Sequence, residues 1–326
     1  MSSPEEEIAA AARRLARGEI VAFPTETVYG LGANAADPAA VARIFALKGR
    51  PTEHPLIVHL ERAGDLDCWA IDIPDAAREL ADSFWPGALT MILRKAPHVL
   101  MQVTGGQDSV GLRVPGALAN KLLAAFNRLG ERGGIAAPSA NRFGHVSPTT
   151  AQHVRDEFGP DLPLLDGGRC EIGLESTIVD FSRGEPVLLR PGGISRARIE
   201  QVLGAALSQD MAGAPRVSGS LATHYAPRTA LTLVDRATIA EELKDSGVAV
   251  LALGHEPAHA TVRAWIAGSN DPMSYAHDLY ANLRTLDASG ARRILVEAPP
   301  KAPEWEAVND RLARAAAGAG DLRDEP

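Results

Sequence analysis

Lys48 and Arg50 stand one residue apart in Lys48-Gly49-Arg50-Pro51, shortly after the run Pro24-Thr25-Glu26-Thr27-Val28-Tyr29-Gly30-Leu31-Gly32. The earlier run reads as one loop holding two threonines, a carboxylate, a tyrosine and two glycines, and the later one adds two cations. That composition suits a pocket for a polar, anionic ligand better than a simple turn. Arginine's planar fork matches carboxylates and phosphates bidentately, whereas lysine acts as a point charge. Other cations and small polar residues fall near the expected ends of strands: His59, Arg113, Ser139, Asn141, Ser147, Ser176, Thr177 and Arg190, the last followed by Pro191-Gly192-Gly193. Each alone reads as an ordinary surface cation or hydroxyl; together, in an acidic chain, they predict an anion pocket. Asp180 and Glu185 read as ordinary surface carboxylates.

Two motifs fail on their context. Gly30-Leu31-Gly32-Ala33-Asn34-Ala35 fits the dinucleotide-binding pattern, and Glu53 stands near the expected acidic position. That fingerprint needs a strand directly before it and a helix starting inside it. Here Pro-Thr-Glu-Thr-Val-Tyr intervenes, and the next helix is expected only at Pro38. His255-Glu256-Pro257-Ala258-His259 fits a zinc-hydrolase pattern, but Pro257 breaks the helix that would align its histidines. The sequence contains neither a Walker-type phosphate loop nor a nucleophile elbow.

The elements that must position these groups alternate. Helices are expected over 6–17, 38–47, 76–84, 115–129, 149–158 and 195–207. Strands are expected over 19–23, 55–60, 89–94, 109–114, 134–137, 162–165, 176–181 and 186–189. Asp37-Pro38 marks a helix start, with a capping side chain before proline at the first helical position. A second set follows, with strands over 230–234, 248–253 and 293–297 and helices over 237–244, 274–288 and 304–316. The pattern predicts an α/β protein: a twisted mixed sheet over 5–207, a Gly/Ser/Pro-rich linker over 208–228, and a small Rossmann-like parallel α/β domain over 229–320. With 326 residues, 45% apolar and 23% charged, the chain is long enough for two cores.

A net charge of −8 argues against a broad nucleic-acid footprint, so no stable direct nucleic-acid contact is expected. The two cysteines, Cys68 and Cys170, make no disulfide framework or zinc site. Met1 to Glu7 has no apolar signal-peptide core, and no apolar run reaches membrane-spanning length. A soluble, cytoplasmic protein without membrane partners is expected.

The stretch from Ala22 to Leu60 closely resembles the YrdC-like threonylcarbamoyl-AMP synthase family. So do the blocks Phe84–Thr90, Val110–Pro115, Ala137–Asn141, Glu175–Asp180 and Leu189–Gly192. His224-Tyr225-Ala226-Pro227 and Arg293–Ala298 resemble its longer, two-domain branch. The resemblance implies a nucleotidyltransferase that condenses L-threonine, bicarbonate or CO2 and ATP, with Mg2+, into L-threonylcarbamoyl-AMP and pyrophosphate. The product would pass to the tRNA-modifying threonylcarbamoyl transferase machinery for the t6A modification of the adenosine beside the anticodon.

By motif position, Thr27, His59, Arg113, Ala137 and Ser176 would line the threonine site. Arg50, His54, Ser109, Ser139, Asn141, Ser147, Arg190 and Tyr225 would line the ATP site. Lys48, Arg50 and Arg113 would be the catalytic cations, with no protein ligand to a metal and no general base assigned. Placing Tyr225 there implies that the linker folds over the pocket as a lid. Two other readings are a non-catalytic RNA-binding module, which the net charge disfavours, and a carbamoyl-phosphate-handling domain, which would bring zinc-finger and acylphosphatase segments that this chain lacks.

Overall fold

The computed structural model describes residues 3–130 and 133–320. Its contacts form two compact units. The first comprises Met1–Arg142, Pro148–Glu171 and Glu175–Ser220, and the second Phe143–Ser147, Ile172–Leu174 and Leu221–Pro326.

The first unit is built on an eight-stranded sheet. In chain order its strands are β1 (Val21–Pro24), β2 (Tyr29–Asn34), β3 (Ile57–His59), β4 (Leu89–Arg94), β5 (Ser109–Arg113), β6 (Ile135–Ala136), β7 (Thr177–Asp180) and β8 (Val187–Arg190). Across the sheet they run β1-β2-β6-β3-β5-β4-β7-β8. Pairs β3/β5 and β4/β7 are parallel and the others antiparallel. Consequently the ends of β2, β3, β5 and β8 and the starts of β1, β4, β6 and β7 lie at one edge.

Register decides what shares a face. Ile57 pairs with Gly111 and His59 with Arg113. Gly111 also pairs with Ile92 on β4, and Thr90 pairs with Ile178 on β7. Because side chains alternate along a strand, this face carries His59, Arg113 and Thr90 beside an apolar floor of Ile57, Ile92 and Ile178. The opposite face supplies Val58, Leu112, Met91, Leu93 and Val179 to the main core. There they join apolar residues of the helices Pro38–Lys48, Asp75–Phe84 and Arg196–Leu203.

Asp37 caps the helix Pro38–Lys48 by accepting from Ala39 N and Ala40 N, as expected. Gly49 ends it in the left-handed region at φ 62°, so the chain turns directly after Lys48. Strand β2 corrects the expectation of one loop from Pro24 to Gly32. Gly30 and Gly32 lie in extended, fully buried backbone, and the loop proper is only Thr25–Val28. A Cβ on Gly32 would stand 2.6 Å from the Phe23 ring and 2.9 Å from Ile135. These glycines serve close packing rather than a turn. The expected strand at 162–165 shrinks to a single bridge between Leu164 and Ala22.

The second unit holds a four-stranded, all-parallel sheet. Its strands are β9 (Ala230–Val234), β10 (Val248–Ala252), β11 (Ala264–Ala267) and β12 (Arg293–Glu297), ordered β11-β10-β12-β9. Strand β11 is one more than expected. It is a short edge strand of half-buried and exposed residues, so it lacks the apolar run of a central parallel strand. His255–His259 lies in the loop before it, consistent with the rejection of the zinc motif.

Gly192 seats the loop after β8 against the start of β7. A Cβ there would lie 2.4 Å from Glu175 O, 2.5 Å from the Ser176 carbonyl carbon and 2.5 Å from Thr177 N, all backbone atoms. Gly192→Ala is expected to cost about 1–3 kcal/mol. Urea unfolding checks this, and an unchanged midpoint would contradict the packing described.

Candidate active site

The loop between β1 and β2 is fixed by its own hydroxyls. Thr25 Oγ1 donates to Val28 O at 2.7 Å and accepts from Thr27 N and Val28 N. Its hydrogen is thereby used, so in the 2.7 Å contact with Thr27 the Thr27 hydroxyl is the donor. Arg113 Nη1 donates to Thr27 Oγ1 at 2.9 Å. Toward any ligand Thr27 can therefore act only as an acceptor.

Arg113, at the end of β5, is 4% exposed and anchored on three sides. Its Nε donates to Gly87 O at 3.1 Å, Nη1 to Thr27, and Nη2 to Glu26 Oε1 at 2.5 Å. The second Glu26 oxygen accepts from Gly116 N at 2.7 Å, at the start of the helix Ala117–Asn127. A Cβ on Gly116 would lie 3.0 Å from Glu26 Oε2, so a glycine lets the carboxylate approach this backbone. Burial pushes the Glu26 carboxyl upward, but Arg113 and the Gly116 N–H outweigh it and hold the pKa below the ordinary value.

His59 pairs with Arg113 across β3 and β5 and is 3% exposed. Burial first, then the Arg113 charge, push its pKa down to about 3, so the imidazole is neutral. Its Nδ1 has no hydrogen-bond partner among the described residues. Ala137 follows β6, with its N–H bound to Ile57 O. Ser176 precedes β7, and its hydroxyl lies 2.8 Å from that of Thr90.

Arg190 and Arg50 carry the cationic part. Arg190 donates to Ser176 O from Nε (3.1 Å) and Nη2 (2.8 Å), and from Nη1 to Ser218 O at 2.7 Å. Arg50 donates from Nη2 to Pro55 O at 2.9 Å and to Ser218 Oγ at 3.1 Å. Ser218 thus bridges the two arginines. Arg216 is tied to Gln107 through its backbone N–H and C=O, and its guanidinium donates to Gly105 O and Glu53 O. Val217 packs with Ile92, Ile178, Val187 and Leu189. The strap Arg216–Ser218 therefore lies along the sheet face that bears the site, and with Ser109 and Gly111 it lines a small cleft.

Lys48 is 3% exposed and donates to Ser139 O at 2.6 Å and to Asn141 O. Burial, then Arg50, push its pKa well below the ordinary lysine value. What the structure shows it doing is holding the loop after β6 to the end of the helix Pro38–Lys48. His54 lies on the 51–55 loop, where its carbonyl accepts from Arg50 Nε at 3.4 Å.

The first unit thus gathers Thr27, Lys48, Arg50, His54, His59, Ser109, Arg113, Ala137, Ser139, Asn141, Ser176 and Arg190 on one sheet and its loops. Ser147 and Tyr225 belong to the second unit. There Ser147 O accepts from Arg284 Nε at 3.5 Å. The Tyr225 ring stacks on Tyr280 with centroids 5.7 Å apart, and the Arg311 guanidinium lies 5.1 Å from its centroid. Asp180 is buried rather than at the surface, taken up by Ser182 and Arg183.

Sequence reading did not assign Glu26, Thr90 or the strap Arg216–Ser218. Thr90 reads as an ordinary β-former, and the strap as a linker without period. For Glu26 the available signal is its place beside Thr27 in the polar run Pro24–Gly32. Among the described residues no group of three or more His, Cys, Asp or Glu could hold a metal ion. No helix among them is long and apolar enough to cross a membrane.

A family model described as telomere recombination, covering Sua5, YciO and YrdC, matches residues 13–192. A second, described as the threonylcarbamoyl-AMP synthase C-terminal domain, matches residues 194–317. The chain is 40% identical over 329 residues to the threonylcarbamoyl-AMP synthase of Pyrococcus abyssi, covering 95% of this chain and 94% of that one. It is 38% identical over 335 residues to the threonylcarbamoyl-AMP synthase of Bacillus subtilis, covering 98% and 95% respectively. Among solved structures it is similar to P. abyssi Sua5 complexed with L-threonine, with a TM-score of 0.85, 37% identity, and coverage of 96% of this chain and 94% of that one. With both models matched in order, this chain belongs to the threonylcarbamoyl-AMP synthase family, in its two-domain Sua5 branch.

Proposed function

We propose that the protein is a threonylcarbamoyl-AMP synthase. It is a nucleotidyltransferase joining L-threonine, bicarbonate or CO2 and ATP into L-threonylcarbamoyladenylate and pyrophosphate, for the t6A modification of tRNA in the cytoplasm. The observation that carries this reading is the Arg113 fork, held between Glu26, Thr27 and Gly87 beside a neutral His59. It stands on the same sheet face as the floor beneath Arg50 and Arg190. One position suits an amino acid's carboxylate, and the other suits a polyphosphate.

In this reading Arg113 takes the threonine carboxylate, and Thr27, as an acceptor, takes a hydrogen from its ammonium or hydroxyl. A buried polar partner for that hydroxyl would reject valine strongly, because the unpaired group is costly. Arg50 and Arg190 take ATP phosphates in place of the Ser218 contacts. Lys48 fixes Ser139 and Asn141, which line the nucleotide. The threonine amine, having released a proton to solvent, adds to CO2 to form the carbamate with loss of a second proton. A carbamate oxygen then attacks the α-phosphorus as the bond from that phosphorus to the α,β-bridging oxygen breaks, and pyrophosphate leaves. Both partners are anionic, and fixed cations offset their repulsion. Mg2+ would come with ATP and would offset phosphate charge, with no described residue assigned as its ligand. No residue is assigned as a base; positioning and electrostatics carry the step.

The contacts of Ser218 with Arg50 and Arg190 support the reading of 208–228 as a lid.

Pyrophosphate release from ATP should require threonine and bicarbonate together, and release that ignores threonine would contradict the assignment. Truncation after Leu207 should weaken nucleotide affinity and activity, measured by equilibrium binding and turnover; unchanged values would refute the lid. For His59, the unfolded chain takes up a proton near 6.5 but the folded chain only near 3. Stability should therefore be full above about pH 6.5 and fall as pH drops toward 3. His59→Asn should flatten this part of the acid-unfolding profile, and an unchanged slope would show that His59 titrates normally.

A further inference from the structure

Glu26 is a buried carboxylate that the function above does not use. Its side chain is 11% exposed against 5% for Arg113, and the two are 2.5 Å apart. Both its oxygens are engaged, one by the guanidinium and one by Gly116 N. A glycine at 116 leaves room for the carboxylate beneath the start of the helix Ala117–Asn127. Arg113 would stay anchored by Gly87 O and Thr27 Oγ1 without it. Glu26 is therefore not needed to aim the fork, and what it adds there is the charge that offsets the guanidinium.

We propose that Glu26 is a specificity-determining residue: its negative charge offsets Arg113, so that the site takes a zwitterionic amino acid in preference to a simple carboxylate. The proposal rests on the reading that the substrate carboxylate meets Arg113. With His59 neutral, Arg113 is the cation against Thr27 and Glu26 its paired anion. A site with an unopposed buried guanidinium would favour any anion and repel an ammonium group. A site with the pair present holds the carboxylate by hydrogen bonds while tolerating, and attracting through Glu26, the ammonium beside it. Inside a poorly screened pocket a unit charge a few ångströms away is felt strongly.

The direction of the effect follows from charge alone. Removing Glu26's charge shifts selectivity toward anions, whereas mere damage to the loop weakens all ligands together. The test compares three probes by calorimetry on the full chain. These are L-threonine, 3-hydroxybutyrate, which lacks the amine, and threoninol, which lacks the carboxylate. In Glu26→Gln the preference for threonine over 3-hydroxybutyrate should fall by about tenfold or more, and threoninol should weaken further. Glu26→Asp, which keeps the charge, should hold the wild-type preference within about threefold.

An unchanged preference in Glu26→Gln overturns the proposal, as does a tenfold loss in Glu26→Asp. If Glu26→Gln does not fold, Glu26→Met, uncharged and of similar length, is read in the same way. Arg113→Lys separates the two levels of inference. If it leaves the preference for threonine over threoninol untouched, the carboxylate does not meet Arg113 and the site reading itself fails. If that preference drops while Glu26→Gln changes nothing, only the role of Glu26 fails.

Discussion

A guanidinium buried at the end of β5 sets the terms for the rest of the site. Arg113 cannot leave its charge and donors unpaired away from water, because removing one partner from a buried ion pair costs about 3–5 kcal/mol. Three groups meet that demand, Gly87 O before β4 and Thr27 Oγ1 and Glu26 in the first hairpin loop, while His59 is its register partner on β3. The hairpin loop is held in turn by the Thr25 hydroxyl, and Glu26 by the backbone of Gly116. A single buried cation thus couples the first hairpin, the middle of the sheet and the start of a helix. Burial first, and then the same cation, keep His59 neutral.

Along the same sheet face the second cationic group obeys a different rule. Arg50 and Arg190 donate to backbone carbonyls and are joined through Ser218. Two guanidinium groups this close together suit an anion more strongly charged than an amino acid. One face of one sheet thereby carries the Arg113–Glu26 pair in one part and Arg50 with Arg190, joined through Ser218, in another. The strap that supplies Ser218 is held by Val217 packing on the apolar floor and by Gln107 pairing with the Arg216 backbone.

What could be read from the sequence tracks how local its cause is. The cap at Asp37-Pro38 and the short, largely apolar stretches of β4, β5 and β10 are local, and each element lies where its pattern puts it. Strand β2 was hidden because its glycines answer to Phe23 and Ile135, which are neighbours only in the folded sheet. Strand β11 was hidden because it is short and only partly buried. The residue types of an anion pocket were visible in Lys48, Arg50, Arg113 and Arg190. Their partners were not, since the bonds from Arg113 to Glu26 and from Arg190 to Ser218 join residues remote in the chain. Sequence spacing also does not show that Lys48 donates to two backbone carbonyls.

The central claim is that one sheet face holds an amino acid at Arg113 and a nucleotide at Arg50 and Arg190. A crystal structure of the chain with L-threonine and a non-hydrolysable ATP analogue tests it most directly. The account predicts the threonine carboxylate on the Arg113 fork and the phosphates between Arg50 and Arg190, with Ser218 displaced from at least one of them. Phosphates bound instead at the parallel sheet of the second unit, with Ser218 still bridging both arginines, would contradict it.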